Sequence, residues 1–349
     1  VGLPGDYDRE WRIAAARARR MAEDAGATAL LVVLDPAFPA EAVARLAAAA
    51  SEPRRGLVNP NEIPVFYMTR EAAGRLLGWG GFDLATAPER PATRVAIPGL
   101  NAHFAAEAAT IEAGRPPNVA AVLRGSDPEL RDSYVVFSAH MDHVGVGRPD
   151  ASGDSIYNGA DDDASGTAAL LEVAQAFAAL PQPPARSLLF LAVSGEEKGL
   201  LGSRWFSDHP TVPLEGIVAN VNVDMIGRNS PDSIVVIGMD YSSLGPLVKR
   251  VAAERPVGLT VSDDLWPEER FFFRSDHFNF ARKEIPALFF FAGVHDDYHR
   301  PSDEVDKIDT DKAARVARLI FYTAYELAEA RERPVWVPAG LEEVRALTR

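Results

Sequence analysis

From residue 118 onward the chain alternates short apolar runs with stretches of helical periodicity, and that alternation admits few folds. The apolar runs are 118–123, 133–139, 187–193, 216–224, 233–237 and 285–291; helical spacing occupies 164–180, 244–253 and 311–331. Continuous apolar runs of this length suit strands buried on both faces. Strands of that kind alternating with helices pack as layers around a largely parallel sheet. The expected fold class is therefore α/β, a mixed but mostly parallel sheet sandwiched by helices. Ligands in such sheets collect outside the carboxyl ends of the strands, so chemistry is expected at the residues that close these runs.

The front of the chain reads as a smaller α/β unit. Residues 8–25 carry apolar side chains at helical spacing and end near Gly26, and 27–34 form an apolar run suited to a buried strand. Residues 40–50 are alanine-rich and helical, 63–68 are strand-like, and Thr69 is placed to cap a helix running to Leu77. Three prolines within 88–99 mark a boundary, and a strand-like run follows at 104–113. The division expected is a small domain over 1–100 and a larger one over 101–349.

Composition narrows the partners. The net charge of −14, from 36 basic and 50 acidic residues, repels phosphate backbones and anionic membranes. Nucleic acid is not expected as a partner. The absence of cysteine removes thiolate catalysis, disulfides and cysteine-based zinc sites. No run has the length of a membrane-spanning helix. The sequence opens at Val1 without a leader, so a signal peptide is expected to have been removed or to lie outside it.

Five metal-capable side chains sit in five separate patches at strand ends or loop starts. They are His140 in Ser138-Ala139-His140-Met141-Asp142-His143, Asp162 in Gly159-Ala160-Asp161-Asp162-Asp163-Ala164-Ser165-Gly166, Glu197 in Ser194-Gly195-Glu196-Glu197, Asp224 in Asn222-Val223-Asp224-Met225, and His299 in Tyr298-His299-Arg300-Pro301. Two imidazoles and three carboxylates are what two zinc ions need when one carboxylate bridges them. Glu196 stands spare beside the set. Each patch also has a structural reading: Asp161 to Asp163 precede a helix, where carboxylates accept amide hydrogen bonds, and Glu196-Glu197 suits a solvated turn. Other chemistries fit worse. His295 and His299 have the i, i+4 spacing of a helical zinc motif, but Gly293 and Pro301 bracket them and no glutamate base accompanies them. No Gly-x-Ser-x-Gly elbow is present.

These motifs, with Gly195-Glu196-Glu197-x-Gly-Leu-x-Gly-Ser203, Asn222-x-Asp224 and Tyr298-His299-x-Pro-x-Asp303 in order, resemble those of the zinc-dependent aminopeptidases that include secreted bacterial leucyl aminopeptidases and the glutamate carboxypeptidases. The resemblance covers about 118–327. It implies two co-catalytic zinc ions, one held by His140 and Asp224, the other by Glu197 and His299, with Asp162 bridging. It also implies Glu196 as general base toward a bridging water, Asp142 orienting His140, Tyr298 bonding the oxyanion, and a cis peptide between Asp162 and Asp163. The front segment resembles a protease-associated domain incomplete at its N-terminus, which implies a fragment, a processed form or a short member. A secreted or periplasmic location is expected from relatives of that build.

Substrate features are sparser. Phe271 to Phe273, Phe278 and Met225 are candidates for an apolar pocket. Asp276 is a candidate for meeting a free α-amino group, and Arg228 for meeting a carboxylate. The acidic surroundings favour an amine, so removal of N-terminal residues from peptides or small proteins is the leading reading. A carboxypeptidase, dipeptidase or glutaminyl cyclase of the same fold, and a non-catalytic receptor-like scaffold, are the alternatives. Oligomeric state is not legible.

Overall fold

The computed structural model describes residues 18–19, 21–34, 43–44, 46, 63–84, 97, 100–101, 103 and 114–348. Compact units divide at Gly114–Arg115. The boundary expected at 100–101 falls inside the first unit, and most of 101–113 lies outside the described residues, as do most of the helices expected over 8–25 and 40–50 and the run at 104–113.

In the first unit, β1 (Leu30–Leu34) pairs in parallel with β2 (Val65–Thr69). Helix α1 (Arg70–Gly78) follows directly, capped by the Thr69 hydroxyl, which accepts from the Ala72 amide at 3.2 Å. That bond satisfies one of the amides left free at a helix start.

The second unit is built on a seven-stranded sheet. Its strands are β3 (Val119–Leu123), β4 (Tyr134–His140), β7 (Ser187–Val193), β8 (Ile217–Val223), β9 (Ser233–Ile237), β10 (Thr260–Ser262) and β11 (Ala287–Phe291), in the spatial order β10-β9-β11-β8-β4-β7-β3. The four central strands β11, β8, β4 and β7 run parallel, while β3 is antiparallel to β7 and β9 to β11. A ribbon of β5 (Gly145–Val146) and β6 (Ile156–Tyr157) projects from the connection after β4.

Burial explains the layering. Every residue of β4 and β8 is buried, which requires cover on both faces. One face packs against α2 (Gly166–Ala178), α4 (Leu244–Glu254) and α6 (Thr310–Glu329) through Leu170, Phe177, Val248 and Leu319. The opposite face meets α3 (Leu201–Asp208) through Phe206, α5 (His277–Ala281) through Phe280 and α7 (Pro338–Thr348) through Val344. This is the expected sandwich. Among the described residues no helix is long and apolar enough to cross a membrane.

One buried cation ties the end of α6 to the sheet. Arg186, 2% exposed, donates to the carbonyls of Ala330, Arg331 and Glu332 and to the Ser133 hydroxyl. Arg186→Met is expected to destabilise the fold by about 3 kcal/mol, because the hydrogen bonds of the buried guanidinium to three carbonyls and a hydroxyl are lost at once. A denaturant midpoint within experimental error of wild type would remove that role.

Candidate active site

The four parallel strands deliver the site. Strand β4 ends on His140 itself, Asp224 follows the last residue of β8, Glu196 and Glu197 form the turn after β7, and His299 follows β11. Neighbouring strands lie about 4.8 Å apart, so side chains at adjacent ends meet without long reaches. Asp162 enters from the irregular turn Ala160–Ser165 that leads into α2. Gly159 opens this turn with φ +64°, and a Cβ there would strike the His143 ring and the Asp162 carbonyl, so only glycine fits. The Asp162–Asp163 peptide is cis.

The two carboxylate oxygens of Asp162 serve two groups. On one side Oδ1 lies 3.1 Å from His140 Nε2, which is 3.6 Å from Asp224 Oδ1. On the other, Oδ2 lies 3.1 Å from His299 Nε2 and 3.7 Å from His143 Nδ1. Glu197 closes this second group, 3.0 Å from His299 Nε2 and 2.8 Å from His143 Nδ1. Five of the residues expected at the site, His140, Asp162, Glu197, Asp224 and His299, therefore converge, and Glu196 lines the cavity beside them.

The donor chemistry fits metal ions. His140 Nε2, His143 Nδ1, Asp162 Oδ2, Glu197 Oε1 and Asp224 Oδ1 are buried and crowd against one another, with no partner outside the cluster. Leaving such atoms unmatched costs on the order of 1–3 kcal/mol each. The ligand atoms of His140, Asp162 and Asp224 lie within 4.8 Å of one another, as do those of His143, Asp162 and Glu197. Imidazole and carboxylate at such spacing suit zinc.

Electrostatics follow from burial among carboxylates. Burial opposes charge on His140, but Asp224 and Asp162 more than offset it and raise the imidazole well above its usual range. Burial likewise lifts Glu196 well above the ordinary carboxylate range; His140 opposes this, and Asp276, Asp224 and Glu197 reinforce it. Glu196 lines a cavity together with Asp162, Asp224, Phe271 and Tyr298. The Tyr298 ring stacks on His299 with centroids 3.9 Å apart.

Several expected contacts fall elsewhere. The acceptor nearest His140 Nδ1 is the Asp142 carbonyl at 2.8 Å, with the Asp142 carboxylate at 3.9 Å. A carbonyl only accepts, so Nδ1 carries a proton, which leaves Nε2 as the atom that would bind a metal ion. The carboxylate of Asp142 instead accepts from the Glu196 amide at 3.3 Å. Asp276 is not a substrate contact: it is fully buried, bonded to the Ser203 hydroxyl, and pushed by burial to about 7. Arg228 is tied to Asp297 at 2.8 Å and leans toward Asp303, and it is not among the residues lining the site cavity. Of the phenylalanine run only Phe271 faces the site cavity; Phe272 and Phe273 line a separate one beside Tyr241, and Phe278 packs on Phe273. Met225 lines the site cavity as expected.

Three residues were not assigned from sequence. His143 sits in the second group, and its only signal was a second imidazole three residues after His140. Asp163 accepts from the amides of His140, Gly166 and Met225 at 3.1, 2.9 and 3.2 Å, clasping both strand ends and α2. Asp303 accepts from the amides of Asp161 and Asp162 at 3.0 and 3.2 Å, which fixes the Asp162 backbone.

Comparison with known proteins agrees with this architecture. Residues 118–324 match the model of peptidase family M28, and the chain belongs to that family. A probable leucine aminopeptidase of Arthroderma benhamiae is 28% identical over 222 residues, 61% of this chain and 58% of that protein. Aminopeptidase YwaD of Bacillus subtilis is 28% identical over 190 residues, 50% of this chain and 39% of that one. The chain thus spans about half the length of the curated relatives it matches. The solved aminopeptidase of Aneurinibacillus sp. strain AM-1 shares the fold at TM-score 0.51 and 20% identity, covering 93% of this chain and 68% of its own.

Proposed function

We propose that this chain hydrolyses peptide bonds at the free N-termini of peptides or small proteins, with two zinc ions as cofactors. The observation that carries the reading is Asp162, one carboxylate shared by two histidine–carboxylate groups beside a cavity that Glu196 lines. His140 and Asp224 would hold one ion, Glu197 and His299 the other, with Asp162 between them. Zinc bound there supplies Lewis-acid charge that polarises a carbonyl and lowers the pKa of the attacking water.

The remaining work falls to side chains. Glu196 takes a proton from the attacking water and passes it to the leaving amine, a task suited to a carboxylate raised by burial. The Tyr298 hydroxyl donates to the oxygen of the tetrahedral centre. The apolar wall of Phe271, Phe289 and Phe291 receives the N-terminal side chain. The acidic surroundings favour an α-ammonium group, and with Arg228 already paired the carboxypeptidase reading loses its main candidate. The complete ligand set speaks against a one-zinc cyclase and against a non-catalytic scaffold. Export, and a protease-associated character for the first unit, are part of the same proposal.

Hydrolysis of leucine p-nitroanilide or leucyl-leucine by zinc-loaded protein, lost on chelation, tests the reading; no hydrolysis of either with two ions bound would refute it. The second metal group makes a finer prediction. His299→Ala is expected to leave one zinc per chain, because it removes a ligand. His143→Ala is expected to weaken binding by about 10–100-fold through loss of the group that orients Glu197. Metal analysis after dialysis decides this: two ions retained in His299→Ala and one in His143→Ala would exchange the two roles.

A further inference from the structure

We propose that Arg274 recognises a carboxylate on the substrate, so that the preferred peptides carry a carboxylate close to the bond being cut. This rests on the peptidase reading above. Among the described residues lining the site cavity, which include Phe271, Phe289 and Phe291 and the acidic Asp162, Glu196 and Asp224, Arg274 is the one basic side chain. Its guanidinium lies 4.6 Å from the Phe271 ring centroid, which holds the planar group against that wall. The backbone is fixed as well. The Arg274 amide closes the turn on the Phe271 carbonyl at 3.0 Å, and the next residue, Ser275, bonds Asp224 at 2.8 Å.

The existing partner leaves capacity. Arg274 Nη1 bonds Glu269 at 2.9 Å, with the two side chains 37% and 54% exposed. A pair so exposed contributes little to stability, so it does not account for a cation in this wall. A guanidinium carries five N–H donors in a fork that matches a carboxylate's two oxygens. In a chain of net charge −14, such a group offsets the repulsion that an anionic substrate meets at an acidic site. Two substrates present that chemistry: a dipeptide, through its α-carboxylate, and a peptide beginning with aspartate or glutamate, through its side chain.

The test compares matched pairs on zinc-loaded protein: leucyl-leucine against leucyl-leucinamide, and glutamyl against leucyl p-nitroanilide. The readout is the ratio of kcat/KM within each pair, relative to the same ratio in variants. In wild type the carboxylate member of one pair is expected to be favoured by about tenfold or more; in Arg274→Gln that ratio falls by about tenfold, and Arg274→Lys keeps part of it. The pair that responds identifies the source of the carboxylate. A wild type without preference in either pair, or a ratio unchanged in Arg274→Gln, overturns the proposal. Calorimetric binding of the same pairs to Glu196→Gln protein, with and without Arg274→Gln, reads recognition without turnover. An inactive wild type would therefore count against the peptidase reading alone, while equal affinities within both pairs would overturn the role of Arg274.

Discussion

Glu196→Gln is expected to lower kcat by about 10²–10⁴-fold while leaving fold, KM and metal content near those of wild type. Glutamine keeps the shape and cannot accept a proton. The substitution should not disturb the backbone, because the Glu196 amide, not its side chain, makes the bond to Asp142. Nor should it cost a metal ligand, since Asp162 is approached by His140, His299 and His143, and the neighbouring Glu197 by His299 and His143. Burial holds Glu196 well above the ordinary carboxylate range, which makes it a stronger proton acceptor than an exposed glutamate. A base with a pKa near the operating pH combines correct protonation with driving force for proton transfer. Turnover of zinc-loaded Glu196→Gln within about threefold of wild type would take Glu196 out of that role.

Chelation is expected to abolish hydrolysis and to lower the thermal midpoint by several degrees. A ligand at a thousandfold excess over its Kd stabilises the folded state by about 4 kcal/mol, and here two ions would be lost together. The midpoint of the metal-free protein should also depend on pH in a definite direction. Burial opposes charge on His299, and the carboxylates of Asp162 and Glu197 overcome it, placing the imidazole at about 9 rather than 6.5. A folded pKa above the unfolded one contributes stability that is complete below pH 6.5 and is lost as pH rises toward 9. Zinc needs the neutral imidazole, so its affinity should rise over that same window. The chelated protein should therefore melt earlier at pH 9 than at pH 6.5, and the zinc-loaded protein should gain over it as pH rises. Equal midpoints with and without chelator throughout that range would contradict metal binding at these residues.

The central strands were legible because β4, β8 and β11 are buried on both faces, and such strands leave unbroken apolar runs. Short elements left no such trace. Helix α5 is only five residues long, β5 and β6 are two residues each, and α3 starts after Leu200 in a left-handed conformation. Such pieces are too short to show a period. The antiparallel directions of β3 and β9 depend on chain routing, which composition does not encode.

The same division holds at the site. His140 and Asp224 close strands that periodicity locates, so their meeting followed from the sheet. His143, Asp163 and Asp303 owe their places largely to contacts with segments distant in sequence, such as His143 to Glu197, Asp163 to the Met225 amide and Asp303 to the Asp161 amide. Asp276 and Arg228 show the converse: chemistry suggested ligands, but burial and the Asp297 pair had already engaged them. In the phenylalanine run, which ring faces the site cavity is decided by a single turn.

The most direct test of the account gives zinc-loaded protein matched peptides with free and acetylated N-termini and follows the products by mass spectrometry. Stepwise loss of N-terminal residues from the free peptide alone, stopped by chelator, is the predicted result. Cleavage of the acetylated peptide, or loss of residues from the carboxyl end, would contradict it.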